Sequence, residues 1–406
     1  MPLWFARLRS RPLAVWRARA AGLAQPPWPA LLALSTLALL PVGRAAEAPV
    51  MLGAAAGVLL VARRPDALAG RGARLALALF LCYWLPVLLS GRHAVEPQRT
   101  WSTTVDVLRF LPFALFVVAA LDAAAQWPRA VAACAAVVAL WVVDAYVQMT
   151  TGFGLGGAAE AERLSGIFGA GNLKFGPALA VLSPFVLLGA RRRFGRVGLA
   201  LAGVLLTPPI LLAGSRAAWL AYLVVGVLVA WREARSRRGF ALALAACALG
   251  GAAVVAIALH DSARLDARVE RSLLALRGTV SAVDEASAGR LSIWRTAAAM
   301  SRANALTGVG ARGFRYAYPR YAAPGDRFVE PATETGASHA HQLVLEVLSE
   351  TGVVGLACWI AGALLAWRAW RRADVDARER ARAPMLALVA MCFPLNTHLA
   401  FYSAWW

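Results

Sequence analysis

Long apolar windows alternate with short basic connections along this chain, and the alternation is interrupted once, between His260 and Ala340. Apolar windows of about 17–25 residues are long enough to cross a bilayer as helices. They fall near 28–43, 48–62, 75–90, 103–121, 130–148, 175–190, 197–213, 217–231, 240–259, 352–367 and 384–398. LAFYSAWW, at the end of the sequence, opens a further apolar stretch. The pattern predicts an all-α polytopic membrane protein with about eleven or twelve transmembrane helices and one large, partly helical loop. Its domains would be a bundle over 1–259, the loop over 260–340 and C-terminal membrane helices over 341–406.

Composition agrees with a lipid solvent. Hydrophobic residues make up 60% of the chain and mean hydropathy is +0.60, well above the roughly 45–50% apolar content of soluble domains. A secreted soluble domain behind a signal peptide is not expected, because apolar windows continue to the end. Arginines cluster at alternate connections, in Arg7–Arg19, Arg63–Arg74, Arg191–Arg196, Arg232–Arg238 and Arg368–Arg382. The bias of basic residues to cytoplasmic loops places the N-terminus inside and the 260–340 loop outside. Most of the net charge of +20 is then a topology signal, and no nucleic-acid partner is implied. Cys82, Cys134, Cys247, Cys358 and Cys392 all fall in apolar windows, so no disulfide framework is expected in the loop.

The loop has an order of its own. Leu265, Val269, Leu273, Leu276 and Val280 recur at helical spacing, and a second helix is expected from about Ser287 with Leu291, Trp294 and Ala298 on one face. TGVGARGF ends it, and RYAYPRYAAPGDRFVEPATETG reads as an irregular lid. Arg216, in LLAGSRAAWLAYL, stands at the outer junction of two spans, where a charge faces either a polar cavity or the headgroups beside Trp219. Arg290 stands at a helix start, where its guanidinium and free amides can converge on one anion, with Arg295 as a less specific neighbour. Lys174, after a glycine-rich loop, is a candidate phosphate contact or a headgroup anchor. His339 and His341, two of only five histidines, lie on one side of an extended segment just before a helix beginning at about Gln342. Neutral imidazole is the usual general base. Two histidines do not close a zinc site, so no metal or cofactor is expected. Asp374 and Asp376 sit among arginines at the inner side and read as electrostatic partners of that loop.

His341 and Gln342, followed nine residues later by Gly352-Val353-Val354-Gly355, resemble the H-[N/S/Q]-x9-G-x-x-[G/T/Y] signature of the O-antigen ligase family. GSRAAWLAYL, the GR…W segment of 289–294, TGVGARGF and FPLNTH are similar to other parts of that superfamily, so the likeness is strong over the second half of the chain. The resemblance implies a GT-C-like, multi-pass glycosyltransferase of the bacterial inner membrane with its active site on the periplasmic face. The donor would be an undecaprenyl-pyrophosphate-linked O-antigen and the acceptor a sugar of lipid A–core, giving finished lipopolysaccharide by an inverting, metal-independent transfer. Arg216 and Arg290 would meet the pyrophosphate, assisted by Lys174 and Arg295, and His339 or His341 would be the base. O-antigen polymerases and protein O-oligosaccharyltransferases share the superfamily and remain alternatives. A transporter or flippase of lipid-linked glycan is the alternative of another class, although such proteins keep their functional groups nearer the membrane midplane.

Overall fold

Backbone polar groups in lipid must be satisfied within the segment, so apolar windows of this length become helices. The structure, a computed structural model, describes residues 28–122, 126–160, 163–234, 236–241, 289–397 and 400–403, with isolated positions between 245 and 287. Among the described residues the regular elements are helical except for one two-residue hairpin, β1 (Phe153–Gly154) with β2 (Gly157–Ala158). Five described helices are long and apolar enough to cross a membrane, which makes the chain an all-α polytopic membrane protein. The expected span 240–259 and the amphipathic helix expected over 261–280 lie outside the described residues, apart from isolated positions.

The chain divides into two compact units. The first takes the residues up to Ala76 together with Arg109–Val137. In it α1 (Trp28–Ala38), α2 (Glu47–Arg63) and α5 (Phe110–Leu121) pack together. Glycine lets α2 and α5 approach closely, because any side chain at Gly57 would collide with the Pro112 carbonyl and one at Gly53 with the Phe113 ring.

The second unit takes Leu77–Leu108 and the chain from Val138 onward. It holds most of α3 (Arg71–Ser90), α4 (Pro97–Val107) and most of α6 (Gln126–Thr151). After these come α7 (Phe175–Leu212), α8 (Arg216–Glu233), α9 (Arg290–Ala303), α10 (Phe314–Tyr321), α11 (Leu343–Arg372), α12 (Val375–Arg380) and α13 (Arg382–Met391). Two of these helices are broken at glycines. Straight, the 38 residues of α7 would reach about 57 Å, nearly twice a bilayer core of about 30 Å. Gly195 (φ 68°, ψ −154°) divides it into the two arms expected at 175–190 and 197–213. Gly352 (φ 67°, ψ −163°) divides α11 into a short arm, 343–351, and a long one matching the span expected at 352–367.

Three expectations change. The helix expected over 384–398 stops at Met391, and Pro394 follows in a turn. The first seven residues of the supposed lid, RYAYPRY, join Phe314 in α10, with Pro319 near its end. The second loop helix starts at Arg290 and buries Ile293, Thr296, Ala297 and Met300, not the face of Leu291, Trp294 and Ala298. These buried residues meet Phe314, Ala317 and Tyr318 of α10 in one core, so a neighbouring helix and not the membrane chose the face.

Candidate active site

The short arm of α11 is framed by its cap and by its break. Gln342 caps the N-terminus, its Oε1 accepting from the Leu345 N–H at 2.6 Å while its Nε2 donates to the Pro394 carbonyl at 2.8 Å. Just before the cap, His341 takes φ 50°, a left-handed conformation that costs a side-chain-bearing residue about 1–2 kcal/mol. The imidazoles of His339 and His341 come together there, with ring centroids 3.8 Å apart. His339 is buried and shares a 2.9 Å hydrogen bond between its Nδ1 and Ser338 Oγ.

At Gly352 the helix ladder is cut, which leaves carbonyls before the break and amides after it without helical partners. The loop after α9 supplies them. Val353 and Val354 donate to the Ala305 and Leu306 carbonyls at 2.8 and 3.3 Å, and the Ser349 and Glu350 carbonyls accept from Val309 and Gly310 at 2.9 and 3.0 Å. The approach is so close that side chains at Gly308 or Gly352 would run into the opposing backbone. Ala305, Leu306 and the TGVGARGF that follows them are therefore a splint across the break, and its glycines answer the glycine of the signature. Buried acids tie the same assembly: Glu350 Oε2 accepts from the Arg312 N–H at 2.7 Å, and Glu346 Oε1 from the Phe401 N–H at 2.6 Å. Among the described residues no three of His, Cys, Asp and Glu converge as metal ligands would.

Arg290 is the first residue of α9, after Gly289 at φ 78°. Its helix start is capped internally: Asp284 Oδ1 accepts from the Leu291 N–H at 3.0 Å, and Arg327 lies 3.7 Å from the same carboxylate. One first-turn amide expected to face an anion is therefore engaged, and the guanidinium becomes Arg290's principal means of binding. Burial, and then the charge of Arg216, hold the Arg290 guanidinium below its usual range. Burial first and the Arg290 charge second push His341 down to about 4. Arg290 therefore feels the charge of Arg216, and His341 feels that of Arg290, with the His339 ring tilted against His341.

Arg216 opens α8 one residue after the Ser215 cap, whose Oγ accepts from the Ala218 N–H at 3.4 Å. The Trp219 indole donates to the Ile210 and Leu211 carbonyls at 3.2 and 3.1 Å and fixes this turn to the end of α7. The opening of α7 lies at the same level, because a side chain at Gly176 would meet Ala213, Ser215 and Ala218. Lys174 stands two residues before that contact, at the end of a glycine-rich loop held by buried acceptors of α6. Asp144 Oδ1 accepts from Leu155 N–H at 2.6 Å, and Gln148 Oε1 from Gly166 N–H at 2.8 Å. Arg295 lies five residues along α9 from Arg290, on another face, and is exposed. The structure thus gathers Arg216, Arg290, His339 and His341, sets Lys174 at the same end of the bundle, and turns Arg295 outward.

The segment that holds both arginines, both histidines, the splint and the Gly352 break also matches a family model, that of the O-antigen ligase, over residues 201–360. Over that segment the chain is similar to the O-antigen ligase family. The match supports an enzyme of the O-antigen ligase and polymerase superfamily. No curated protein matches the chain.

Two features of this site went unread in the sequence. Asp284 lies before Gly289 in VDEASAGRL, an acid ahead of a helix start, and that was the available signal for a cap. Glu346 and Glu350 follow the histidines at helical spacing, but their tying role depends on Phe401 and Arg312, which no local pattern links to them.

Proposed function

We propose that this protein transfers an O-antigen glycan from undecaprenyl pyrophosphate to a sugar hydroxyl of lipid A–core at the periplasmic face of the inner membrane. The observation that supports this reading is that Arg290 acts on both the Arg216 guanidinium and the half-buried, neutral His341 imidazole. The hydroxyl oxygen of the acceptor attacks the anomeric carbon while His341 takes its proton. The bond from that carbon to the pyrophosphate oxygen breaks, and the oxygen leaves with the electron pair. Arg216 and Arg290 stabilise the charge it gains, their planar forks matching phosphate oxygens bidentately. His339, its ring tilted against that of His341, orients the base. Direct displacement inverts the anomeric centre, and the arginines take the part a divalent ion plays elsewhere.

Reconstitution into liposomes with lipid-linked glycan and lipid A–core tests the reading. A higher-mass lipid A–core conjugate, formed equally after exhaustive chelation, is expected. Elongation of glycan on the polyprenyl carrier would make the protein a polymerase, and a glycosylated protein would make it an oligosaccharyltransferase. Loss of transfer with chelator and recovery with a stoichiometric metal would remove the arginine-only account of the leaving group.

A further inference from the structure

At the far end of α8 from Arg216, a cleft of about 200 Å³ is lined by Leu188, Arg191, Arg192, Glu233, Glu379 and Arg382. It lies where the break of α7, the end of α8 and the helices α12 and α13 come together. Its carboxylates are already engaged. Glu233 Oε2 lies 2.7 Å from Arg191 Nε, Glu233 Oε1 lies 2.9 Å from Arg382 Nη1, and Glu379 lies 3.9 Å from the same Arg382 nitrogen. The guanidinium groups are not used up. Arg192 spends one nitrogen on the Glu379 carbonyl at 2.6 Å, and Arg382 Nη2 is buried without a hydrogen-bond partner among the described residues.

A buried donor left in that state is costly, whereas an anion with several oxygens would satisfy it. The lining has three arginines against two carboxylates, and Arg196 and Arg232 add two more guanidinium groups bonded to the backbone of Glu233 and the side chain of Glu379. The surplus of positive charge excludes a cation. Along α8 the cleft lies about 25 Å from Arg216, close to the thickness of a bilayer core, so if α8 crosses the membrane as the sequence pattern expects over 217–231, the two sites stand at opposite surfaces. Phosphate is the oxyanion that such a surface presents most densely.

We propose that this cleft binds a phosphate group, supplied by an anionic lipid headgroup or by free phosphate, apart from the donor pyrophosphate site. Thermal unfolding of the full chain in detergent tests it, with phosphatidylglycerol, phosphatidylcholine and inorganic phosphate as probes. Ligand that binds the folded state alone raises the midpoint. Phosphatidylglycerol is expected to raise it several degrees more than phosphatidylcholine. Arg192→Gln and Arg382→Gln should each remove at least half of that difference, while Arg64→Gln, in a separate basic cluster, retains it. A shift produced by inorganic phosphate that abolishes the lipid effect identifies the free anion as occupant, and a shift from the lipid alone identifies the headgroup. Arg192 is exposed and serves as the deciding variant should Arg382→Gln not fold. Equal shifts from both lipids with no response to phosphate, or full retention of the difference in a folded Arg192→Gln, overturn the proposal.

Discussion

At His341, burial and the adjacent Arg290 charge act in the same direction, against the imidazolium. With its value near 4, the ring is neutral across the physiological range and ready to accept a proton. The free-enzyme profile, kcat/KM, is therefore expected to be flat from neutral pH down to weakly acidic pH and to fall as pH drops through that value. Bound pyrophosphate would offset the Arg290 charge and raise the imidazole value, so kcat should begin to fall at a higher pH than kcat/KM. Two coincident acid limbs would disconnect the base from the anion site. His341→Ala should cost roughly 100-fold or more in single-turnover transfer with donor affinity nearly intact, and wild-type transfer in that variant would end the base assignment. Arg290→Gln should move the acid limb upward, since it removes a repulsive charge. Arg290→Lys and Arg216→Lys should each lower kcat/KM about tenfold to hundredfold, because an ammonium does not reproduce a bidentate fork.

Helix breaks carry the architecture at the scale of the elements, and glycine is what makes each break possible. Gly352 and Gly195 have nearly the same backbone conformation, a region essentially reserved for glycine. Their surroundings differ: a side chain at Gly352 strikes Leu306, while one at Gly195 meets nothing within 4 Å. Gly195→Ala should therefore lose only the strain, about 1–3 kcal/mol, whereas Gly352→Ala should also displace the splint and abolish transfer. Equal effects of the two variants on activity and on the unfolding midpoint would show that the splint is dispensable. The same contrast explains what the sequence disclosed. RRRFGR between two apolar windows separated the two arms of α7, and the histidine pair stood out against a chain poor in histidine, whereas TGVVG read as a continuous helix and hid the break at Gly352. The buried face of α9 was misread because α10 determines it, and α10 itself was hidden by the prolines and glycines on either side of FRYAYPRY. Arg290 was legible as a helix-start cation; its capping by Asp284 and its facing of Arg216, some seventy residues earlier, depend on tertiary contacts that spacing does not encode.

Across the second unit, α8 and the second arm of α7 separate the two charged ends, with Arg216 at one terminus of α8 and Glu233, bonded to Arg191 and Arg382, at the other. That polarity, joined to the bias of arginines toward the cytoplasmic side, predicts which compartment each end faces. The five native cysteines all fall in apolar windows, so replacing them leaves a background suited to single reporters. Ala332→Cys lies on the exposed stretch between α10 and the histidines, and Asp376→Cys lies on exposed α12 beside the arginine cleft. In that background an impermeant maleimide added to intact spheroplasts should modify Ala332→Cys and leave Asp376→Cys unmodified until the membrane is opened. The reverse pattern would put the histidine site in the cytoplasm, where a periplasmic acceptor never meets it, and would rule out lipid A–core ligation even if Arg216, Arg290 and His341 proved indispensable. Labelling of both reporters from outside would mean that α8 does not separate two compartments, and the phosphate cleft would then lose its assignment to the opposite leaflet.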